Sequence, residues 1–123
     1  MMASERRIDI DDPDVDMDMG QRMLYRGSLF TGEMAEYQDG ALIGLDVYVD
    51  GIRDGLSQAW YPDGSLRYEG SIHRGAPRGE FKEWHRNGIL KSRKFFDESN
   101  YSVREEFIWN EDGQLLREWH RDA

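Results

Sequence analysis

Polar and apolar residues alternate along most of this chain, and glycine interrupts the alternation about every dozen residues. Between these interruptions lie segments of about six to eight residues rich in Tyr, Trp, Phe, Val, Ile and Leu. That is a strand length with strand chemistry. Helical periodicity is poor, and glycines at this density would break helices. The pattern predicts an all-β fold with little or no helix.

The interruptions are periodic. Gly40, Gly64, Gly88 and Gly113 recur at steps of 24, 24 and 25, and Gly27, Gly51 and Gly75 at steps of 24. The next member of the second set would be residue 99, which is Ser99. Two residues after each glycine of the first set stands a leucine: Leu42, Leu66, Leu90 and Leu115. Three copies carry a tryptophan four residues before the glycine: Trp60, Trp84 and Trp109. Pro62-Asp63-Gly64, Arg86-Asn87-Gly88 and Glu111-Asp112-Gly113 suit a type I turn closed by a left-handed glycine. The pairs Gly51/Gly55 and Gly75/Gly79 read as the return turns. Two strands per 24 residues with tight turns at both ends give an elongated antiparallel meander of β-hairpins.

Register can be tried within one repeat. With 62–64 as the loop, Trp60 faces Leu66, Gln58 faces Tyr68, Leu56 faces Gly70 and Asp54 faces Ile72, all on one largely apolar face. Ser57, Ala59, Arg67, Glu69 and Ser71 take the polar face. The same rule gathers Trp109, Phe107, Leu115 and Trp119 in the last repeat. The middle repeat resists it: Lys82 and Lys94 join Trp84 and Leu90, while Phe81 and Phe95 point away. That repeat is either two-sided or shifted by a bulge. The expected stripe of Trp60, Tyr68, Trp84 and Trp109 is either a core ladder or an exposed groove, because a lone sheet has no second layer to cover it.

The arrangement Gly-x3-Gly-x4-Trp-x3-Gly-x-Leu, carried by Gly51, Gly55, Trp60, Gly64 and Leu66 with the next turn at Gly75, resembles the MORN-repeat variant family. The likeness covers roughly residues 22–121. More narrowly, the chain looks like bacterial antitoxin-type or immunity-type proteins built from such repeats. The resemblance implies an elongated hairpin array, no catalysis and protein binding. The chain departs from the pattern at Ser99, at one extra residue before Gly113, and at Glu36, where a Trp is expected before Gly40. These departures mark either atypical capping repeats or a partner-specific surface.

At 123 residues the chain is expected to form one domain. Its 15 aromatics supply most of the large apolar surface. It has no cysteine, no apolar run near the roughly 18 residues a membrane helix needs, and no signal-type apolar core at its N-terminus. A cytoplasmic protein without membrane insertion is the expectation. The net charge of −9 is uneven: residues 1–18 carry seven acids against two bases. Residues 1–20 therefore read as an acidic arm, either adding edge strands or remaining a tail, ahead of a repeat domain over 21–123. The arm's Asp9, Asp11, Asp12, Asp14, Asp16 and Asp18 are candidates for meeting a basic partner. The charge disfavours nucleic acid and anionic lipid. Open sheet edges allow a monomer or an edge-paired dimer.

Asp14, Asp16 and Asp18 have the spacing of a calcium loop, but its required Gly and Glu positions hold Met19 and Tyr25. His73, His85 and His120 form no metal-like spacing, and no nucleophile with an oriented base stands out. The glycines are turn residues, not a phosphate loop. No cofactor and no metal is expected. The expected function is a non-enzymatic protein-binding module, an antitoxin or immunity protein that occludes a cognate toxin. The alternative is a general scaffold or membrane-surface adaptor.

Overall fold

The computed structural model describes residues 6–121. The beginning of the acidic arm, with Glu5, and the last two residues of the repeat domain lie outside them. Twelve strands and no helix occur among the described residues: β1 (Arg7–Asp9), β2 (Val15–Met17), β3 (Met23–Tyr25), β4 (Ser28–Leu29), β5 (Gly32–Gln38), β6 (Ala41–Val49), β7 (Ile52–Trp60), β8 (Leu66–His73), β9 (Ala76–Trp84), β10 (Leu90–Phe96), β11 (Val103–Trp109) and β12 (Leu115–His120). Nine of them form one sheet in the order β1-β5-β6-β7-β8-β9-β10-β11-β12, and β2-β3-β4 form a small second sheet. From β5 onward the large sheet is the expected antiparallel meander. At a strand spacing of about 4.8 Å it spans about 38 Å across its strands. Within the arm, β1 lies parallel to β5, pairing Ile8 with Met34, and β2 lies antiparallel to β3.

Two turn chemistries alternate along the meander. On one rim Gly64, Gly88 and Gly113 take φ of 93°, 88° and 83° and donate their amides to the carbonyls of Tyr61, His85 and Asn110. On the other rim Asp50-Gly51 and Arg74-Gly75 both have two positive-φ residues, with Val49 paired to Ile52 and His73 to Ala76. These are two-residue type I′ turns, whose twist matches that of the strands they join. Gly55 and Gly79 are therefore not turn residues. They sit inside β7 and β9, at φ of 132° and 73°, beside shifts in register. Gly27 closes the β3–β4 turn after Arg26 in the same way, and Gly32 opens β5.

Gly40 also departs from expectation. Asp39-Gly40 is a two-residue I′ turn flanked by the pair Gln38–Ala41. This loop is one residue shorter than the Pro62-Asp63-Gly64 loop. Tyr37, opposite Leu42, therefore holds the place that Trp60 holds opposite Leu66. The substitution for tryptophan falls at Tyr37, not Glu36. At Ser99 the missing glycine is absorbed by a longer loop, in which Asp97 N donates to Ser102 O and Tyr101 takes φ 61°.

The largest correction concerns register. Trp60 does face Leu66, but the next pair is Ala59–Tyr68, so Arg67 is an extra residue. The same insertion recurs at Ile43, Lys91 and Leu116 in the other three hairpins, each next to the leucine that answers the aromatic residue. The β-bulge suspected for the middle repeat is thus a feature of every repeat. It advances the second strand by one residue and exchanges its faces. Ser57 faces Gly70 and Gln58 faces Glu69, instead of Leu56–Gly70 and Gln58–Tyr68. Burial follows this register: Ser57, Ala59, Gly70 and Ile72 are buried, and Leu56 is exposed. In the last repeat Trp119 pairs with Glu106 and Phe107 with Glu118, which separates Trp119 from Phe107 and Trp109.

The buried apolar cluster lies where the small sheet covers the start of the large one. Phe30, Met34, Ile8 and Met23 form it, with Val15, Tyr25 and Tyr48 packed around them. Gly51 ties the two sheets together. Its amide donates to Phe30 O and its carbonyl accepts from Met23 N, each at 2.8 Å.

Candidate functional site

Adjacent residues of a strand point to opposite faces, and cross-strand partners share a face. These two rules and the observed register assign each side chain of the uncovered part of the sheet. Gln58, Glu69, Lys82 and Arg93 stand in one row across β7 to β10, and Phe107 and Glu118 extend it. Trp60, Trp84 and Trp109 belong to this face, near the three-residue turns. All three are half-buried. Phe107 stacks on Trp109 at 5.9 Å, and the Arg93 guanidinium lies over Phe95 at 4.6 Å and over Phe107 at 5.8 Å. Arg93 also bonds Glu80 at 2.6 Å, and it is the main cause holding that carboxyl below its usual range.

The tryptophans are stapled from repeat to repeat. Tyr61 donates its hydroxyl to Trp84 O at 2.7 Å, and His85 Nε2 lies 2.9 Å from Trp109 O. The residue after each of Trp60 and Trp84 thus engages the tryptophan carbonyl of the next hairpin. Asn87 adds a bond to Glu111 O. These contacts hold the three-residue turns in line and give the tryptophan rim a fixed spacing.

Tyr68 is on the opposite face, because it pairs with Ala59 rather than Gln58. The expected single stripe of Trp60, Tyr68, Trp84 and Trp109 is therefore divided between two faces. On the Tyr68 face, Ser57 donates to Asp46 at 2.6 Å and lies 3.0 Å from the Tyr68 hydroxyl. Ser57 is 1% exposed and links two polar partners, of which Asp46 also lies 3.6 Å from Arg53. Replacing it, Ser57→Ala, is expected to cost about 1–3 kcal/mol, against about 1 kcal/mol for Tyr68→Phe, which removes a single bond. Urea unfolding of the two variants checks the order. Beyond Tyr68, a cavity of about 210 Å³ is lined by Tyr68, Phe81, Phe96, Ser92 and Lys94, together with Lys82 and Glu83. Phe81 and Phe96 meet edge to face at 5.4 Å.

The arm's acids sit at the opposite end of the array from Trp109. They are largely engaged by their own chain. Asp9 Oδ1 accepts from Asp11 N, Asp12 from Asp14 N and Tyr25 OH, and Asp16 from Met17 N. Asp14 pairs with Arg26 at 3.1 Å and Asp18 with Arg22 at 2.9 Å. The backbone N–H of Arg22 is the chief cause that lowers the Asp18 pKa. The structure does not bring these carboxylates to the tryptophan rim.

Sequence reasoning missed Asp97. Its carboxylate accepts from Ser99 backbone and side chain and pairs with Arg121 at 2.8 Å, while Arg121 also contacts Ser102. Ser99, then Arg121, holds its carboxyl far below the ordinary range. A depressed folded pKa adds stability that is present above the unfolded value, near 3.9, and is lost as pH falls through the folded value. The variant Asp97→Asn is therefore expected to show a flatter loss of stability below about pH 4 than the parent. Thermal melts from pH 2 to pH 7 measure this. The signal in the sequence is the Asp-x-Ser spacing shared with Asp63 and Ser65, where Ser65 likewise lowers the aspartate's pKa.

The fold and these paired faces define a β-hairpin repeat protein. The family model of the MORN repeat variant matches residues 53–73 and 77–98, which are the β7–β8 and β9–β10 hairpins. No curated protein and no solved structure matches the chain. The β5–β6 and β11–β12 hairpins fall outside the matched repeats, yet they carry the same bulge after their leucine.

Proposed function

We propose that this chain is a cytoplasmic, non-enzymatic protein-binding module that uses the uncovered sheet from β7 to β12 as its recognition surface. The carrying observation is the single layer of that part of the sheet. The half-buried Trp60, Trp84, Trp109, Phe95 and Phe107 share one face with exposed Leu56, and Leu115, Leu116 and Trp119 are exposed at the far edge. Aromatic surface of this kind, rimmed by charges, is what protein interfaces use. The histidines favour binding over chemistry: His85 engages a backbone carbonyl, and His73 and His120 stand beside carboxylates, with no serine or threonine bonded to them among the described residues. The test is cross-linking mass spectrometry with the tagged chain in its source cells. A specific partner should be lost with Trp84→Ala and Leu56→Lys while circular dichroism is unchanged. Retention of that partner by both variants rules out this face.

A narrower reading is neutralisation of a basic toxin by occlusion, as an antitoxin or immunity protein would do. The net charge of −9 favours it. Co-expression with toxic products encoded nearby tests it, and the reading fails if none is neutralised. A membrane-surface adaptor is the competing scaffold role. Strong sedimentation with acidic vesicles would favour that role against the charge argument.

A further inference from the structure

The two edges of the large sheet are treated differently. At one edge the terminal strand is β1, only three residues long and paired parallel to β5 over Glu33–Ala35. At the other edge, all six residues of β12 are exposed, including Leu115 at 49%, Leu116 at 64% and Trp119 at 37%. Arg121 N donates to Arg104 O. Backbone groups alternate in direction along an antiparallel strand, so the amides and carbonyls of Glu118 and His120 point away from β11.

The chain contains three precedents for what this edge receives. β12 is the second strand of a hairpin, like β6, β8 and β10, and it shares their bulge after the leucine. Each of those strands takes an antiparallel strand on the corresponding edge: β7, β9 and β11. Counting from the leucine, Glu118 corresponds to Glu69, and Glu69 faces Lys82. Trp119 corresponds to Gly70, which faces Phe81, so the same bulky–small pairing is set up with its members exchanged.

We propose that the outer edge of β12, against which no strand lies among the described residues, docks an extended segment of a partner protein, bound antiparallel, with a small residue opposite Trp119 and a lysine or arginine opposite Glu118. This rests on the protein-binding reading and locates it. Charge decides between occupants. A second copy paired antiparallel keeps its faces, so only residues of like parity can oppose each other. Registers centred on Glu118 or Arg117 set a like charge against its own copy, and the register centred on Trp119 opposes that bulky ring to itself and Arg117 to Arg121. A basic segment instead meets Glu118 and the net charge of −9 together.

The probe is a synthetic peptide copying Gly79–Trp84 with Phe81→Gly, Glu80→Gln and Glu83→Gln, which is basic and places Lys82 opposite Glu118. NMR titration of the full chain should show saturable binding and slowed exchange of the Glu118 and His120 amides. A peptide also carrying Lys82→Glu should bind about five- to tenfold more weakly, and the preference should invert on Glu118→Lys protein. No saturable binding, an uninverted preference, or protection of these amides by self-association of the chain each overturns the proposal. Glu118→Pro removes an outward amide and leaves the bonds to β11 in place. A cellular partner that binds this variant undiminished overturns the edge assignment and leaves the protein-binding reading standing.

Discussion

Gly51→Ala is expected to destabilise the protein by about 3 kcal/mol, the sum of a strained backbone and an overpacked site. Gly51 has φ +83°, and a Cβ there would lie 2.8 Å from Met23 O, 3.0 Å from Arg22 Cβ and 3.1 Å from Leu29 Cδ2. The first of these is backbone, which cannot rotate away. Both hydrogen bonds that dock the small sheet, to Phe30 O and from Met23 N, pass through this residue. The control is Gly40→Ala. Gly40 has the same φ, but a Cβ added there would meet nothing within 4 Å, so only the left-handed strain remains, about 1–2 kcal/mol. Chemical denaturation of both variants separates steric from conformational cost. Hydrogen exchange should show that Gly51→Ala loosens residues 15–30 first, ahead of β8 to β11. Equal losses for the two glycines would mean that the docking contact contributes little.

Gly70→Ala is expected to cost about 2–3 kcal/mol, as overpacking does in a filled site. Here φ is ordinary and the obstacle is the Phe81 ring, three atoms of which lie 2.4–2.5 Å from an added Cβ. Phe81 is the direct cross-strand partner of Gly70 and lies across it. The ring would have to swing off the strand, which breaks its edge contact with Phe96 and reshapes the cavity beside Tyr68. A double-mutant cycle is the decisive measurement. Adding Phe81→Val to Gly70→Ala should recover part of the loss, although Phe81→Val alone destabilises. Additive costs would show that glycine and ring are not coupled.

These two glycines show how far the sequence can be read. The 24-residue period, the strand lengths, the absence of helix and the Trp60–Leu66 pairing are local consequences of turn chemistry and alternation. They are legible because a left-handed glycine and a tight turn leave a fixed mark at fixed spacing. The role of Gly51 as a docking point is not legible, because Met23 reaches it from the other sheet and Phe30 from the link between the two. Gly70 carries no sign of its own: it breaks no turn and has no positive φ, and only the ring of Phe81 explains it. Tyr68 falls with the tryptophans only if alternation runs unbroken through Arg67, and the bulge breaks it there. A bulge leaves no consistent residue type behind. Its four extra residues are Ile43, Arg67, Lys91 and Leu116, two apolar and two basic.

By itself, the sequence determined a hairpin array, its period and the rim on which the tryptophans stand, because these depend on contacts within about a dozen residues. Only the tertiary structure decided which face each strand buries, how the acidic arm's aspartates are spent on Arg22, Arg26 and Tyr25, and which strands end the large sheet. Those outcomes depend on pairing between strands far apart in the chain, where a shift of one residue exchanges the two faces.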